Sequence, residues 1–311
     1  MRVTAQLIDG TTGGHLWSER YDRPLADIFA LQDEIRREII TALKIKLLPE
    51  EQKRFQSFPT DNVEAYDYLL RGWEFFGRFT KEGNEQAQRM FEKAIELDPT
   101  YASAYAAVGM TYWQAWLWQW NPNPQALQQA FERAQKAVSL NDYLAQAHQV
   151  LGQVYFYKKQ HEQAIAELER AIASDPNYAD GYANLGIILA YAGRPEEGIG
   201  WVEKAMRLNP RPPVWYSSYL ATAYRLAGRT EEAITTFKGV TTRTPQYLPP
   251  HIHLAAIYSE LGREEEARAE VAEILTLNPN FSLEGVKQRW PFKDSTVLER
   301  YLAALRKAGL K

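Results

Sequence analysis

The residues that could carry catalysis are few, and their spacing does not suit it. His161-Glu162-Gln163-Ala164-Ile165 opens like a zinc-protease helix, but Ile165 stands where the second metal-binding histidine would be needed. His251 and His253 are two apart, so on a helix they do not face each other as a metal pair. His148 falls where a bulky packing residue is expected and reads as a core histidine. Glu264-Glu265-Glu266 opens a helix, where carboxylates suit the positive end of the dipole. Asp9-Gly10-Thr11-Thr12-Gly13-Gly14 is glycine-rich, yet no Gly-Lys-Ser/Thr follows it and no helix begins at once. It is a turn and not a phosphate loop. The absence of cysteine excludes disulfides, thiolate metal sites and thiol nucleophiles. General acid–base work needs titratable groups in a perturbing pocket, and the sequence suggests none. A non-catalytic chain without cofactor or metal is expected. What remains is recognition by aromatic side chains: nine Trp, 18 Tyr and 12 Phe suffice for a core and leave some for a binding face.

The elements that must position them come from a repeat. Between Ala145 and Pro210 one pattern is written twice: Leu151-Gly152, Tyr155, Ala164, Leu168, Ala171 and Pro176 recur as Leu185-Gly186, Leu189, Gly198, Val202, Ala205 and Pro210. Further units start near Ala65, with Tyr68, Gly72 and Phe75, and near Ala102, with Tyr105, Gly109 and Tyr112. A fifth carries Leu220-Ala221, Tyr224 and Ala233, and a sixth Leu254-Ala255, Tyr258 and Ala267. Gly193-Arg194, Gly228-Arg229 and Gly262-Arg263 mark turns between paired helices. The second unit's turn is expanded through Trp116 to Pro124, where Trp116, Trp118 and Trp120 either wedge against a neighbouring repeat or form an exposed patch. A helix–turn–helix unit of about 34 residues is the tetratricopeptide period. Such an array buries apolar faces by stacking neighbours, so function is expected on an open surface and not in a closed pocket.

In this repeat class the first helix of each pair lines the concave face, at its non-signature positions. Read onto this chain, those positions give Leu69, Trp73 and Phe76, then Ala106, Met110 and Trp113. Gln149, Gln153, Phe156 and Tyr157 follow, then Ala183, Ile187 and Tyr191, then Ser218, Thr222 and Arg225. The groove is expected to be aromatic at its amino-terminal end and more polar towards the fifth repeat. The candidate partner-binding residues are Trp73, Phe76, Met110, Trp113, Gln149, Gln153, Tyr157, Tyr191 and Arg225. The lysine and asparagine clamp by which chaperone-tail relatives hold a terminal carboxylate is not supplied by Gln149, Gln153, Ala183 and Ile187.

Ahead of the repeats, residues 2–8 and 15–21 alternate as two strands of a hairpin, and an apolar stripe from Ile28 to Leu47 marks a helix over 27–47. Pro49 and Pro59 bracket a linker. Arg2 to Asp9, His15 to Asp22 and Asp27 to Ile35 resemble the end of the TolB-like α/β domain that precedes tetratricopeptide arrays in bacterial proteins. Those proteins begin with a class III adenylate cyclase or a winged-helix transcription regulator. The resemblance implies a carboxy-terminal regulatory piece or a short reading frame; neither the cyclase metal ligands nor the DNA-reading helix has a counterpart here. The stretch Phe292-Lys293-Asp294 and the run Leu305 to Leu310 are similar to the usual close of that family. Ser282 to Arg289 reads as a short helix, and Ser295 as the cap of a last one.

The expected architecture is mainly α: a hairpin and helix over 1–48, a linker over 49–64, six repeats over 65–280 and a capping segment over 281–311. The net charge of −3 gives no case for nucleic acid or anionic membrane as partner. The expected partner is a protein or peptide, and the hairpin's open edge could also pair a second copy into a homodimer. No apolar run approaches the ~18 residues of a membrane span. A reducing cytoplasm is the simplest location, although an export compartment would also suit a chain without cysteine.

Overall fold

The computed structural model describes residues 1–24, 27–43, 60–120 and 123–311. Two strands, β1 (Arg2–Ile8) and β2 (His15–Asp22), pair antiparallel from Arg2↔Asp22 to Leu7↔Trp17, with an irregularity after Leu7. Asp9 closes the hairpin, its Oδ1 accepting from the N–H groups of Thr11 (2.7 Å) and Thr12 (3.2 Å). Helix α1 (Ile28–Ala42) follows, with Leu43 as its C-cap. The part of the helix expected over 44–47, and most of the expected linker, lie outside the described residues. Phe29 of α1 meets Tyr66 edge-on at 5.6 Å, which ties the hairpin unit to the array.

Six helix pairs then run in order: α2 (Val63–Phe76) with α3 (Lys81–Leu97), α4 (Ala102–Leu117) with α5 (Ala126–Leu140), and α6 (Ala145–Tyr157) with α7 (His161–Ser174). After them come α8 (Ala179–Tyr191) with α9 (Pro195–Leu208), α10 (Val214–Leu226) with α11 (Thr230–Arg243), and α12 (Leu248–Glu260) with α13 (Glu264–Leu277). Small residues let each pair approach closely. Ala164, Ala171, Ala205, Ala233 and Ala267 are completely buried. A Cβ on Gly186 would stand 2.6 Å from the Gly198 carbonyl oxygen, and one on Gly198 would stand 2.4 Å from that of Gly186. That is why this helix pair needs glycine at both positions.

The turn inside each pair needs one residue in the left-handed region. Gly193, Gly228 and Gly262 supply it in the last three repeats, while Phe79, Gln119 and Lys159 adopt it in the first three at φ 53–60°. Between repeats an Asx turn recurs: the side chains of Asp98, Asn141, Asp175, Asn209 and Asn278 each accept the N–H two residues on.

The carboxy-terminal cap is two helices, α14 (Leu283–Arg289) and α15 (Ser295–Lys307). The N-cap of α15 is Asp294 and not Ser295: the Asp294 carboxylate accepts from Thr296 N at 2.8 Å, and Ser295 is already helical. A carboxylate at that place takes the same orphan donors as a serine and carries the charge the helix end favours. Among the described residues, no helix is long and apolar enough to cross a membrane.

The concave face is not open. The array turns far enough for Phe79 of the first repeat to meet Tyr247, just ahead of α12, at 6.0 Å. Asn278 Nδ2 donates across to the Trp118 carbonyl at 3.4 Å, and the Arg289 guanidinium lies 5.5 Å from the Trp116 ring. The segment after α14 crosses onto α8, where Lys293 N donates to Tyr191 O at 3.2 Å and Phe292 packs on Tyr191 at 4.9 Å. Lys293 Nζ also reaches Glu162 at 3.0 Å. The small rotation per repeat, summed over six, brings the ends of the solenoid together.

Candidate functional site

These closures leave a cavity of about 440 Å³ on the concave side. Its near wall is built by α2 and α4. Trp73 lies edge-on to Phe76 at 5.5 Å and against Phe91 at 5.0 Å, and Trp113 faces Tyr157 of α6 at 6.0 Å. Ring contacts continue from Tyr157 to Phe156 (5.1 Å), to Tyr191 (5.5 Å) and to Phe292 of the cap. Each such pair adds about 0.5–1.5 kcal/mol beyond its buried area. The far wall is Trp215 and Tyr219 of α10, 5.0 Å apart, with Tyr247, and Trp290 comes from the cap.

Polar side chains occupy the middle. Gln153 Nε2 donates to Asn184 Oδ1 at 3.1 Å, and Asn184 Nδ2 donates to Asp180 O at 2.8 Å. The Tyr178 hydroxyl donates to Gln149 Oε1. The Asp180 carboxyl accepts from Tyr216 Oη at 2.5 Å; burial pushes its pKa up, and the tyrosine hydrogen bond only partly offsets this. Burial likewise pushes the Tyr191, Tyr219 and Tyr247 hydroxyls well above their ordinary range, so they stay neutral donors. His253 stacks on Phe237 at 5.1 Å and meets the Tyr301 hydroxyl at 3.1 Å, and burial, aided by Arg225, holds it uncharged. Among the described residues, no lysine or arginine lines the cavity, and no cluster of three metal-ligating side chains exists.

Trp73, Phe76, Met110, Trp113, Gln149, Gln153, Tyr157 and Tyr191 all stand on this one cavity, and Phe156, Ile187, Ser218 and Thr222 join them. Leu69 is buried in the packing core of the first repeat. Arg225 does not line the cavity. Its guanidinium turns towards the cap, pairing with Glu260 at 3.1 Å and lying 4.4 Å from the Tyr301 ring, because a carboxylate and a ring face stand there one repeat further on.

The far end carries Trp215, Tyr219 and Tyr247 beside Ser218 and Thr222, so the cavity is aromatic at both ends and does not show the expected gradient. Trp215 and Tyr219 lie on the same stripe of α10 as Ser218 and Thr222, one turn earlier, and a 3.6-residue count on that helix would have found them. Phe79, Trp118 and Trp290 come from turns and the cap, where no periodicity announces them. The tryptophan turn wedges, with Trp116 edge-on to Tyr157 at 5.6 Å and under Arg289; Asn121 and Pro122 lie outside the described residues.

Stacked helix pairs with a ring-lined concave face define an α-solenoid of the tetratricopeptide type, a fold that serves as a scaffold for protein interaction and is generally non-catalytic. Residues 152–193 match the family model described as TPR repeat, and residues 224–285 the one described as Tetratricopeptide repeat. A Rhizobium meliloti (strain 1021) protein named "Putative adenylate cyclase 3" is 39% identical over 165 residues, covering 53% of this chain and 28% of that protein. The chain therefore matches less than a third of that relative's length. A thermophilic TPR protein of Thermus thermophilus superposes with a TM-score of 0.50 at 20% identity, over 62% of this chain and 98% of its own. A chain of the APC/C hetero-tetramer Cut9–Hcn1 superposes with a TM-score of 0.55 at 15% identity, over 92% of this chain and 46% of its own. At these identities the two structures speak to the fold alone.

Proposed function

We propose that the chain is the non-catalytic, partner-binding end of a bacterial signalling protein in the cytoplasm, and that a protein or peptide partner anchors on the aromatic concave wall. The observation that supports this most is the convergence of Trp73, Phe76, Met110 and Trp113 from two separate repeats onto one cavity wall. Buried tryptophans and tyrosines are the side chains that dominate binding hot spots. A partner's bulky side chain entering between α2 and α4 would pack against the cavity side of these rings, whose other side belongs to the repeats' own core. Replacing Trp73 and Trp113 by Ala is expected to weaken capture of the partner from host lysate by up to about 700-fold, from ~2 kcal/mol for each anchor. Circular dichroism should show the helices retained. Equal capture by parent and variant would place the partner elsewhere.

A second reading takes the chain as the carboxy-terminal regulatory part of a class III adenylate cyclase whose activity belongs to the whole protein. The 39% identity to the Rhizobium meliloti relative favours it. The genomic sequence upstream of Met1 tests it: a cyclase catalytic domain in frame supports the reading, and a winged-helix domain points to transcriptional control instead.

A further inference from the structure

The crossing of the cap onto the array lies beside a buried histidine that takes no part in the cavity wall. His161 is the first residue of α7 and is 5% exposed, yet neither ring nitrogen has a hydrogen-bond partner within the protein. The other buried histidines are placed differently. His148 and His251 have oxygen neighbours on both nitrogens, and His253 meets the Tyr301 hydroxyl. An imidazolium carries two N–H donors, so a buried site that pairs neither nitrogen favours the neutral ring.

The groups around the ring act in the same direction. Phe156 meets it edge-on at 5.8 Å, and the start of α7 is the positive end of that helix's dipole. The charges that act on it are Lys293 of the cap, Lys159 of the preceding turn and Glu162 of α7, two cations against one carboxylate. Glu162 is the next residue on the helix and does not face the ring. It is instead held by Lys293 Nζ at 3.0 Å, with Arg194 of the next repeat's turn also acting on it. Burial, reinforced by Lys293, holds the His161 pKa below its ordinary value.

The same residues fasten the cap. Lys293 N donates to Tyr191 O, Phe292 packs on Tyr191, and Tyr191 packs on Phe156, the ring edge-on to His161. Helix α15 has its own buried anchors in Leu298, Leu302 and Leu305, so the crossing can lift while the cap stays attached. We propose that His161 is a proton-operated latch: neutral, it lets the cap close over α7 and α8; charged, it releases Phe292 and Lys293 and opens the concave cavity at that rim. A second positive charge near Lys293, without an acceptor, is relieved once the segment lifts and water reaches the ring. Because the pKa is lowered in the closed state, closure is full above about pH 6.5 and is lost as pH falls below it. This goes beyond partner binding, since it makes access to the cavity depend on pH.

The chain has no cysteine, so spin labels attach only where cysteine is introduced. Ala166→Cys on α7 and Glu299→Cys on α15 are exposed positions on the two sides of the crossing. Pulsed double electron resonance on the labelled full chain reads the separation between them. A longer separation is expected to be at least about fivefold more populated at about pH 5.5 than at about pH 7.5, with helicity by circular dichroism unchanged. His161→Phe keeps a ring against Phe156 but takes no proton, and should hold the longer population at its pH 7.5 level. His161→Gln, smaller and equally uncharged, decides if the phenylalanine variant does not fold. A parent distribution that is the same at both pH values would overturn the proposal. So would an equal response in a folded neutral variant, which would assign it to another histidine, or loss of helicity in step with the longer separation, which would make it unfolding.

Discussion

His148 and His251 are core residues, and each is also the centre of a buried hydrogen-bond triad. His148 Nδ1 lies 2.7 Å from Glu167 Oε2 and its Nε2 lies 2.8 Å from the Asp142 carbonyl; His251 repeats this with Glu270 at 2.7 Å and the Pro245 carbonyl at 2.9 Å. With oxygen acceptors on both nitrogens, each ring is best satisfied when protonated. Burial works against the charge, but the carboxylate and carbonyl outweigh it, and both pKa values lie above the ordinary histidine value of about 6.5. A pKa raised in the folded state gives stability that is full below about pH 6.5 and is lost as pH rises through the folded value. His253 has the opposite sign: its lowered pKa protects the fold above about 6.5 and costs stability as pH falls below it. The parent's melting temperature is therefore expected to fall as pH rises above about 6.5. His148→Gln combined with His251→Gln should flatten that limb and cost about 1–3 kcal/mol per site at pH 6. A parent profile that stays flat or rises over this range would contradict the assignment.

The paired helices α8 and α9 hold glycines with opposite roles. A methyl group on Gly186 of α8 would meet the Gly198 carbonyl oxygen and Val202 Cγ2, each at 2.6 Å, and neither backbone can yield without separating the pair. Gly200 of α9, two residues beyond Gly198, has nothing within 4 Å of where its Cβ would stand. Gly186→Ala should therefore destabilise by about 2–3 kcal/mol through overpacking, and Gly200→Ala should stabilise by about 0.5–1 kcal/mol through helix propensity. Urea unfolding of the two variants measures both, and a Gly186→Ala chain as stable as the parent would remove close packing as the reason for the repeat's glycine. The same contrast shows what the sequence could convey. Gly152, Gly186, Ala164 and Ala205 recur because every repeat must solve the same packing problem, so helix pairs and their turns were legible from the period, and the near wall of the cavity from the repeat class that the period resembles. Arg225 was misplaced because a long side chain follows its carboxylate and ring partners rather than its register. Phe79, Trp118 and Trp290 were missed because their role exists only once the superhelix has turned. No local pattern encodes that closure.

At the scale of the whole molecule, an ordinary solenoid is held by contacts between neighbouring repeats, and its two ends are independent. Here the cap reaches back to Trp116 and Glu162, and Asn278 at the end of the last repeat reaches Trp118, so the carboxy-terminal end is secured by earlier repeats. The hairpin is bounded differently. Its sheet has two strands, and each therefore has one edge without a strand partner among the described residues. Ile8 and Leu16 are both 51% exposed near the hairpin tip. Two-stranded sheets are marginal in water and free edges invite another strand. We propose that two copies pair through this edge, a symmetric arrangement in which each hairpin contributes the same strand to a four-stranded sheet. Light scattering on the purified chain should then report a mass approaching twice 35.7 kDa as concentration rises, with dilution restoring the monomer. Because Leu16 is exposed and belongs to no repeat's core, a charged substitution there, Leu16→Lys, should abolish the dimer without lowering the melting temperature of the repeats. A chain that stays monomeric at the highest soluble concentration would leave the edge to be covered by some other strand, and self-association would be ruled out.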